Sequence, residues 1–109
     1  MYKNQIIPIV MTSFNTAGLT TNYQVINSSG LTNACCILRI TNDSSMSIFV
    51  SLDGTNDHEY VVKSEAIQLY SPYLGYNKSS FQKGTKIYIK GSGAGSGSIY
   101  LSGYYLSTI

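Results

Sequence analysis

The sequence predicts an all-β fold, a single-domain β-sandwich or jelly roll of about seven to eight antiparallel strands. Hydrophobic residues recur with period two along most of the chain, whereas the helical period of 3.6 fails almost everywhere. Polarity comes from sixteen Ser, nine Thr, eight Asn and ten Gly, a mixture that favours turns and strands over helices. The strand tally of seven or eight in one domain without helices leaves a sandwich, jelly roll or small barrel, of which a sandwich or jelly roll is expected. At 109 residues the chain suffices for one domain, taken as residues 1–109, and not for two.

Taken in order, residues 5–11 form a first strand, which Pro8 places at a sheet edge because proline donates no ladder hydrogen bond. Residues 12–20 read as a connection, and residues 1–20 are compatible with packing in cis or with an N-terminal arm that contacts a neighbouring subunit. Tyr23 to Asn27 alternates as a strand ended by Asn27-Ser28-Ser29-Gly30. Ala34 to Val62 reads as a meander of three strands. Its first strand places Cys36, Leu38 and Ile40 on one face and Cys35, Ile37, Arg39 and Thr41 on the other. Asn42-Asp43-Ser44-Ser45 is the first turn, because these side chains cap their own backbone. Ile48, Val50 and Leu52 then point inward, with Ser47, Phe49 and Ser51 outward, and Asp53-Gly54 opens a turn before Glu59 to Val62 returns.

Ala66 to Tyr70 is a further strand, and Ser71 to Gln82 a long tyrosine-bearing loop of the kind that is often functional. Lys86 to Lys90 puts Ile87 and Ile89 on one face. The run Gly91 to Ser98 has linker composition, but too few residues follow it for a second domain, so it reads as a long mobile hairpin loop before the last strand, Ile99 to Leu106. That strand carries Ile99, Leu101 and Tyr105 on one face and Tyr100, Tyr104 and Leu106 on the other. A sandwich buries only one face of each sheet, so the second face calls for a partner, most economically another copy of the chain.

Charged residues make up only 11% of the chain and the net charge is +2, which excludes a disordered charged tail and does not demand a nucleic-acid partner. Ile6-Ile7-Pro8-Ile9-Val10-Met11 is too short and interrupted for a signal peptide, and no run approaches a membrane span. The expectation is a chain that folds in the cytosol with no membrane partner. Cys35 and Cys36 read as reduced structural thiols, since bonding adjacent cysteines strains the backbone.

Chemistry is sparse. His58 is the only histidine, flanked by Asp57 and Glu59, and no nucleophile-elbow GxSxG accompanies it, so no catalytic residue is assigned and the protein is read as non-enzymatic. Asp53, Asn56, Asp57 and Glu59 crowd oxygen atoms together, but their spacing is not an EF-hand and turn formation accounts for them; no metal and no cofactor is assigned. Lys78, Lys83, Lys86 and Lys90 interleave with Phe81 and Tyr88, a pattern that fits a solubilising strand face better than a base-stacking one. Tyrosine is the unusual resource, ten in all with no Trp, and tyrosine is enriched at protein interfaces. Tyr73, Tyr76, Tyr88, Tyr100 and Tyr104 are the candidate interface residues. Tyr73, Tyr76 and Tyr100 are alternatively a stacking platform for a glycan.

Four segments together resemble small virion structural proteins of tailed bacteriophages: Ile40 to Asn42, Ser51 to Val61, Lys83 to Gly91, and Gly97 to Tyr105. The shared pattern is S-aromatic-D-G-x-x-D-H, then G-T-x-I-Y-x-K-G and G-x-I-Y-L-x-x-Y, spanning Cys36 to Tyr105; Leu52 stands where the pattern has an aromatic residue. These are packing and turn features, so no active-site residue follows. The resemblance implies a β-sandwich or jelly-roll module on a phage particle, assembled in the host cytoplasm. Its role would be that of an auxiliary or decoration protein that binds the major capsid protein on the shell exterior. The resemblance also implies a homo-oligomer, with a trimer as the expected number. A neck, collar or tail component is the alternative of the same class, and a carbohydrate-binding module for cell-surface attachment is the alternative of another.

Overall fold

Among the described residues, nine strands and one 3-10 turn build two antiparallel sheets that face each other, the all-β sandwich-like arrangement expected from the alternation. The computed structural model describes residues 4–70 and 81–108. The strands are β1 (Asn4–Pro8), β2 (Thr12–Asn15), β3 (Gln24–Val25), β4 (Ile37–Ser44), β5 (Ile48–Ser51), β6 (Glu59–Val61), β7 (Ala66–Tyr70), β8 (Tyr88–Lys90) and β9 (Gly97–Thr108). The first sheet runs β1-β9-β4-β7, with β2 also paired to β9; the second runs β3-β8-β5-β6. Among the described residues no helix is long and apolar enough to cross a membrane.

The core lies between the sheets and is filled by the inward half of each alternating strand: Leu38 and Ile40 from β4, Ile48 and Val50 from β5, Ile89 from β8, and Ile99 and Leu101 from β9. Each such side chain contributes about 1.5–3 kcal/mol when fully buried, so these few residues dominate the stability of a domain this small. Cys35 and Cys36 are free thiols and both are buried. The chain bends at Cys36 and Cys35 bridges to Phe81, which brings Cys35 into the core cluster instead of onto the opposite face.

Residues 5–15 differ from the expected strand-then-connection, because β1 and β2 are two halves of one edge strand along β9. Pro8 lies opposite Tyr104 and Thr12 opposite Leu101, so the register slips by one residue between them. Val10 and Met11 therefore face a single residue, Ser102, and form a β-bulge. The slip moves the inward set from Ile7 and Ile9 to Thr12 and Phe14. Simple alternation stops at the bulge, so the period-two pattern of residues 5–11 ends there. Pro8 does lie on an edge strand, as its missing N–H requires.

Two connections also differ from expectation. β4 does not pair with β5: it lies between β7 and β9, and the chain crosses to the other sheet at Ser45–Ser47, so the three-strand meander reduces to the β5-β6 hairpin. Gly91 to Ser96 likewise is no hairpin loop, because β8 and β9 belong to different sheets. The proposed turn at Asn42 to Ser45 is displaced because Asn42, Asp43 and Ser44 continue β4, paired with Ile99, Ser98 and Gly97. Gly97 has φ +94°, and a Cβ there would run into the carbonyl oxygen of Asp43, so only glycine allows β9 to begin this close to β4. Of the 71–82 loop, residues 71–80 lie outside the described residues, while Phe81 exchanges two backbone hydrogen bonds with Cys35.

The crossing itself is pinned by Asn42, only 1% exposed. Its Nδ2 donates to the carbonyls of Met46 at 2.7 Å and Val61 at 3.1 Å, and its Oδ1 accepts from the Ser44 hydroxyl at 2.6 Å. Asn42→Ala strands these buried partners and is expected to lower unfolding free energy by about 3 kcal/mol, read as a fall in urea midpoint at constant slope. A loss under about 1 kcal/mol would show that the crossing is held by other contacts.

Candidate functional site

The outer face of the second sheet carries one row of side chains that runs across all its strands. Because Ile48 and Val50 are buried, Phe49 points outward. The β5-β6 register sets Tyr60 opposite Phe49, and the β5-β8 register sets Lys90 on its other side. Gln24 lies opposite Ile89, which brings Tyr23 level with Lys90 at the far edge. The Phe49 and Tyr60 rings stand 4.8 Å apart, tilted by 51°, and are 38% and 50% exposed. The Lys90 ammonium lies 4.6 Å from the Tyr23 ring centre and 5.7 Å from that of Phe49, positions that favour cation–π attraction.

The loop from Asp53 to His58 reaches the Tyr23–Lys90 end of this row through Asp57. Lys90 Nζ is 3.1 Å from Asp57 Oδ1, and the Tyr23 hydroxyl donates to the same oxygen. The Tyr23 bond and then Lys90 hold the Asp57 carboxyl below its ordinary range, while partial burial and the Asp57 charge push the Tyr23 phenol up. Asp53 folds the turn itself: it accepts from the backbone N–H groups of Asn56 and Thr55, the Asn56 amide and the Ser51 hydroxyl, which together depress its pKa. His58 Nδ1 accepts from the Leu52 N–H at 2.9 Å and its Nε2 lies 3.8 Å from Asp53 Oδ2. The oxygen-rich cluster is thus divided between turn and sheet. No group of three or more His, Cys, Asp or Glu among the described residues is arranged to hold a metal ion.

Shallow grooves flank the Phe49–Tyr60 pair at both ends. One of about 350 Å³ is walled by Ser45, Ser47, Lys63 and Ser92; the other, about 240 Å³, by Asp57, His58 and Glu59. The rings form the floor shared by both.

The expected interface tyrosines among the described residues are divided between the two sheets. Tyr73 and Tyr76 lie outside the described residues. Tyr88 is half-buried on the second sheet's outer face opposite Ser51, with the Gly54 turn so close that an added Cβ would sit 3.3 Å from its ring. Tyr100 is half-buried on the other sheet between Ser13 and Thr41, beside a recess of about 460 Å³ with Arg39 and Glu65. Tyr104 is exposed on that same face, between Pro8 and Ile37. Of the basic group, Lys83 and Lys86 are exposed, Lys90 is engaged by Asp57, and Lys78 lies outside the described residues. Tyr23, Phe49, Tyr60 and Lys90 do not stand out as a unit in the sequence: the β5-β6 hairpin register signals only Phe49 with Tyr60, and the other two join through pairings between distant segments. No protein-family model matches the chain, and no curated protein matches it significantly.

Lys90 is held by two rings and one exposed carboxylate, and exposed ion pairs contribute little. Lys90→Met is expected to cost about 1 kcal/mol in urea unfolding, through the lost cation–π contacts, and more than Asp57→Asn does. Equal losses would assign the stabilisation to the ion pair. Because folding lowers the pKa of both Asp53 and Asp57, their contribution is complete above the ordinary carboxylate value of about 3.9 and is lost as pH falls through the lower folded values. The wild type should therefore lose melting temperature on acidification below about pH 4, and Asp57→Asn should lose less over the same span.

Proposed function

We propose that this protein is a non-enzymatic structural component of a tailed-phage virion, an auxiliary protein that binds the capsid exterior and stabilises the shell. The observation that carries this reading is the apolar strip on the outer face of the first sheet. Tyr104, 39% exposed, is flanked by Pro8 and by Ile37, with Ile6 exposed in the next row. The bulge adds Val10, 91% exposed, and Met11. Beside it a cleft of about 260 Å³ opens between the sheets onto Ile26, Leu31 and Leu101, a recess sized for an apolar side chain from a neighbour. Contiguous exposed apolar surface of this kind marks an interaction site more often than chance, and few charges on the chain oppose approach.

The four resembling segments supply the particle context, and the surface supplies the means of attachment. Binding the assembled lattice and not its free subunit stabilises the lattice by mass action. Many weak copies add through multivalency, more so when the chain is a homo-oligomer such as a trimer.

Quantitative mass spectrometry of purified particles, scaled to the major shell protein, tests the reading. Copies in the hundreds support a shell location; a dozen or so would move the protein to the neck or tail; absence would overturn the virion assignment. Tyr104→Asp should reduce incorporation about tenfold or more at unchanged melting temperature, the loss expected of a central interface aromatic.

A further inference from the structure

The second sheet presents a surface of different chemistry, on the side of the sandwich opposite the apolar strip. We infer that the Phe49–Tyr60 pair is a binding platform for a neutral hexose oligosaccharide. This goes beyond the virion reading and does not depend on it.

Three features of the platform favour a sugar. Phe49 is fixed on one side by Lys90, which Tyr23 and Asp57 hold in turn, and on the other by the Tyr60 ring, so little order has to be gained on binding. A pyranose offers a face of C–H bonds that rests against aromatic surface, and the Phe49 and Tyr60 rings, tilted by 51° to each other and both exposed in part, offer such surface in two orientations. Successive residues of a glycan chain meet a surface in that way. The walls are hydrogen-bonding groups suited to sugar hydroxyls: Ser45, Ser47 and Ser92 on one side, Glu59 and Asp57 on the other. Grooves lie at both ends of the pair, so a chain can cross the rings and continue.

The same features disfavour other occupants. The apolar area ends at Phe49, Tyr60 and the neighbouring Val62, whereas the large exposed aliphatic residues Ile6, Val10 and Met11 belong to the first sheet's edge strand. A protein hot spot is instead centred on a wider desolvated patch. A nucleic acid would gain little through its phosphates, since the charge of Lys90 is matched by Asp57 and that of Lys63 at the rim is offset by Glu59. Glu59 and Lys63 leave the rim near neutral, which selects an uncharged glycan.

The test is a titration of the nitrogen-15-labelled full chain with maltohexaose, cellohexaose and mannohexaose, followed by amide chemical shifts. At least one of these should move the Phe49 and Tyr60 amides with those of Ser47 and Glu59, with a dissociation constant of about 1 mM or lower. Tyr60→Ala should weaken that binding about tenfold, Tyr60→Phe should retain it, and Tyr104→Asp should bind as wild type. No shift from any of the three sugars, shifts that map elsewhere, or binding unchanged in Tyr60→Ala would each overturn the inference. So would broadening of the Phe49 and Tyr60 amides that grows with protein concentration alone, which would give the platform to a second copy. None of these results bears on incorporation into particles, so the two readings fail separately.

Discussion

The sandwich depends on one buried amide. A chain that alternates between two sheets must leave its ladder at each crossing, and every backbone group released there has to find a partner away from water. At the β4-β5 crossing Asn42 supplies it, reaching the carbonyls of Met46 and Val61 while Ser44 bonds both Asn42 and Met46. Asn27 does the same near β8, donating to the Thr85 carbonyl at 3.1 Å and accepting from the Ile87 N–H at 2.7 Å. Thr16, fully buried, donates to the Gly97 carbonyl where β9 begins. The surplus of Asn, Ser and Thr in the composition is therefore partly internal. These side chains replace missing strand neighbours, and among the described residues no buried side-chain polar atom is left without a partner.

This arrangement explains what could and could not be read from the sequence. Alternation identified the inward residues of β5 and β8, and sorted those of β9 into two faces without saying which is inward, because burial on one face imposes a period of two whatever the strand pairs with. It could not say which strands pair. A turn cluster such as Asn42 to Ser45 looks the same whether it closes a hairpin or crosses between sheets, and here Asn42 and Ser44 serve the crossing from within the strand. The bulge at Val10 and Met11 defeated the pattern differently, since one extra residue reverses the inward phase between Ile9 and Thr12.

The candidate site was legible only in part for a related reason. Phe49 could be placed outward from its neighbours Ile48 and Val50, but Tyr60 becomes its companion only through the hairpin register, and Lys90 and Tyr23 join only through pairings between distant segments. Tyrosine number was a poor guide. Tyr88 and Tyr100 occupy outward positions yet are half-covered, one by the Gly54 turn and the other beside the edge strand, so exposure is decided by neighbouring segments whose placement the alternation does not describe. The two outer faces differ in chemistry as a result, one apolar around Tyr104 and the other aromatic with a hydroxyl and carboxylate rim.

A weakly charged domain with apolar side chains on its surface risks open-ended association, and the strand edges decide whether that risk is realised. Sheets aggregate most readily through long flat edges with free backbone groups. The second sheet ends in β3 and β6, of two and three residues, too short to template a partner. The longer β1-β2 edge of the first sheet is interrupted by Pro8 and by the bulge, which removes a donor and twists the strand out of register. At these edges contacts are thereby directed away from backbone pairing and onto the sheet faces, while β7 is the five-residue strand at the other edge of the first sheet. A face contact is set by the shapes of particular side chains, so it can close or stop at a defined partner where an edge would go on adding strands. The same bulge that blunts the edge also lifts Val10 into solvent, so that one local device both prevents indiscriminate pairing and exposes the residue best placed for a specific contact.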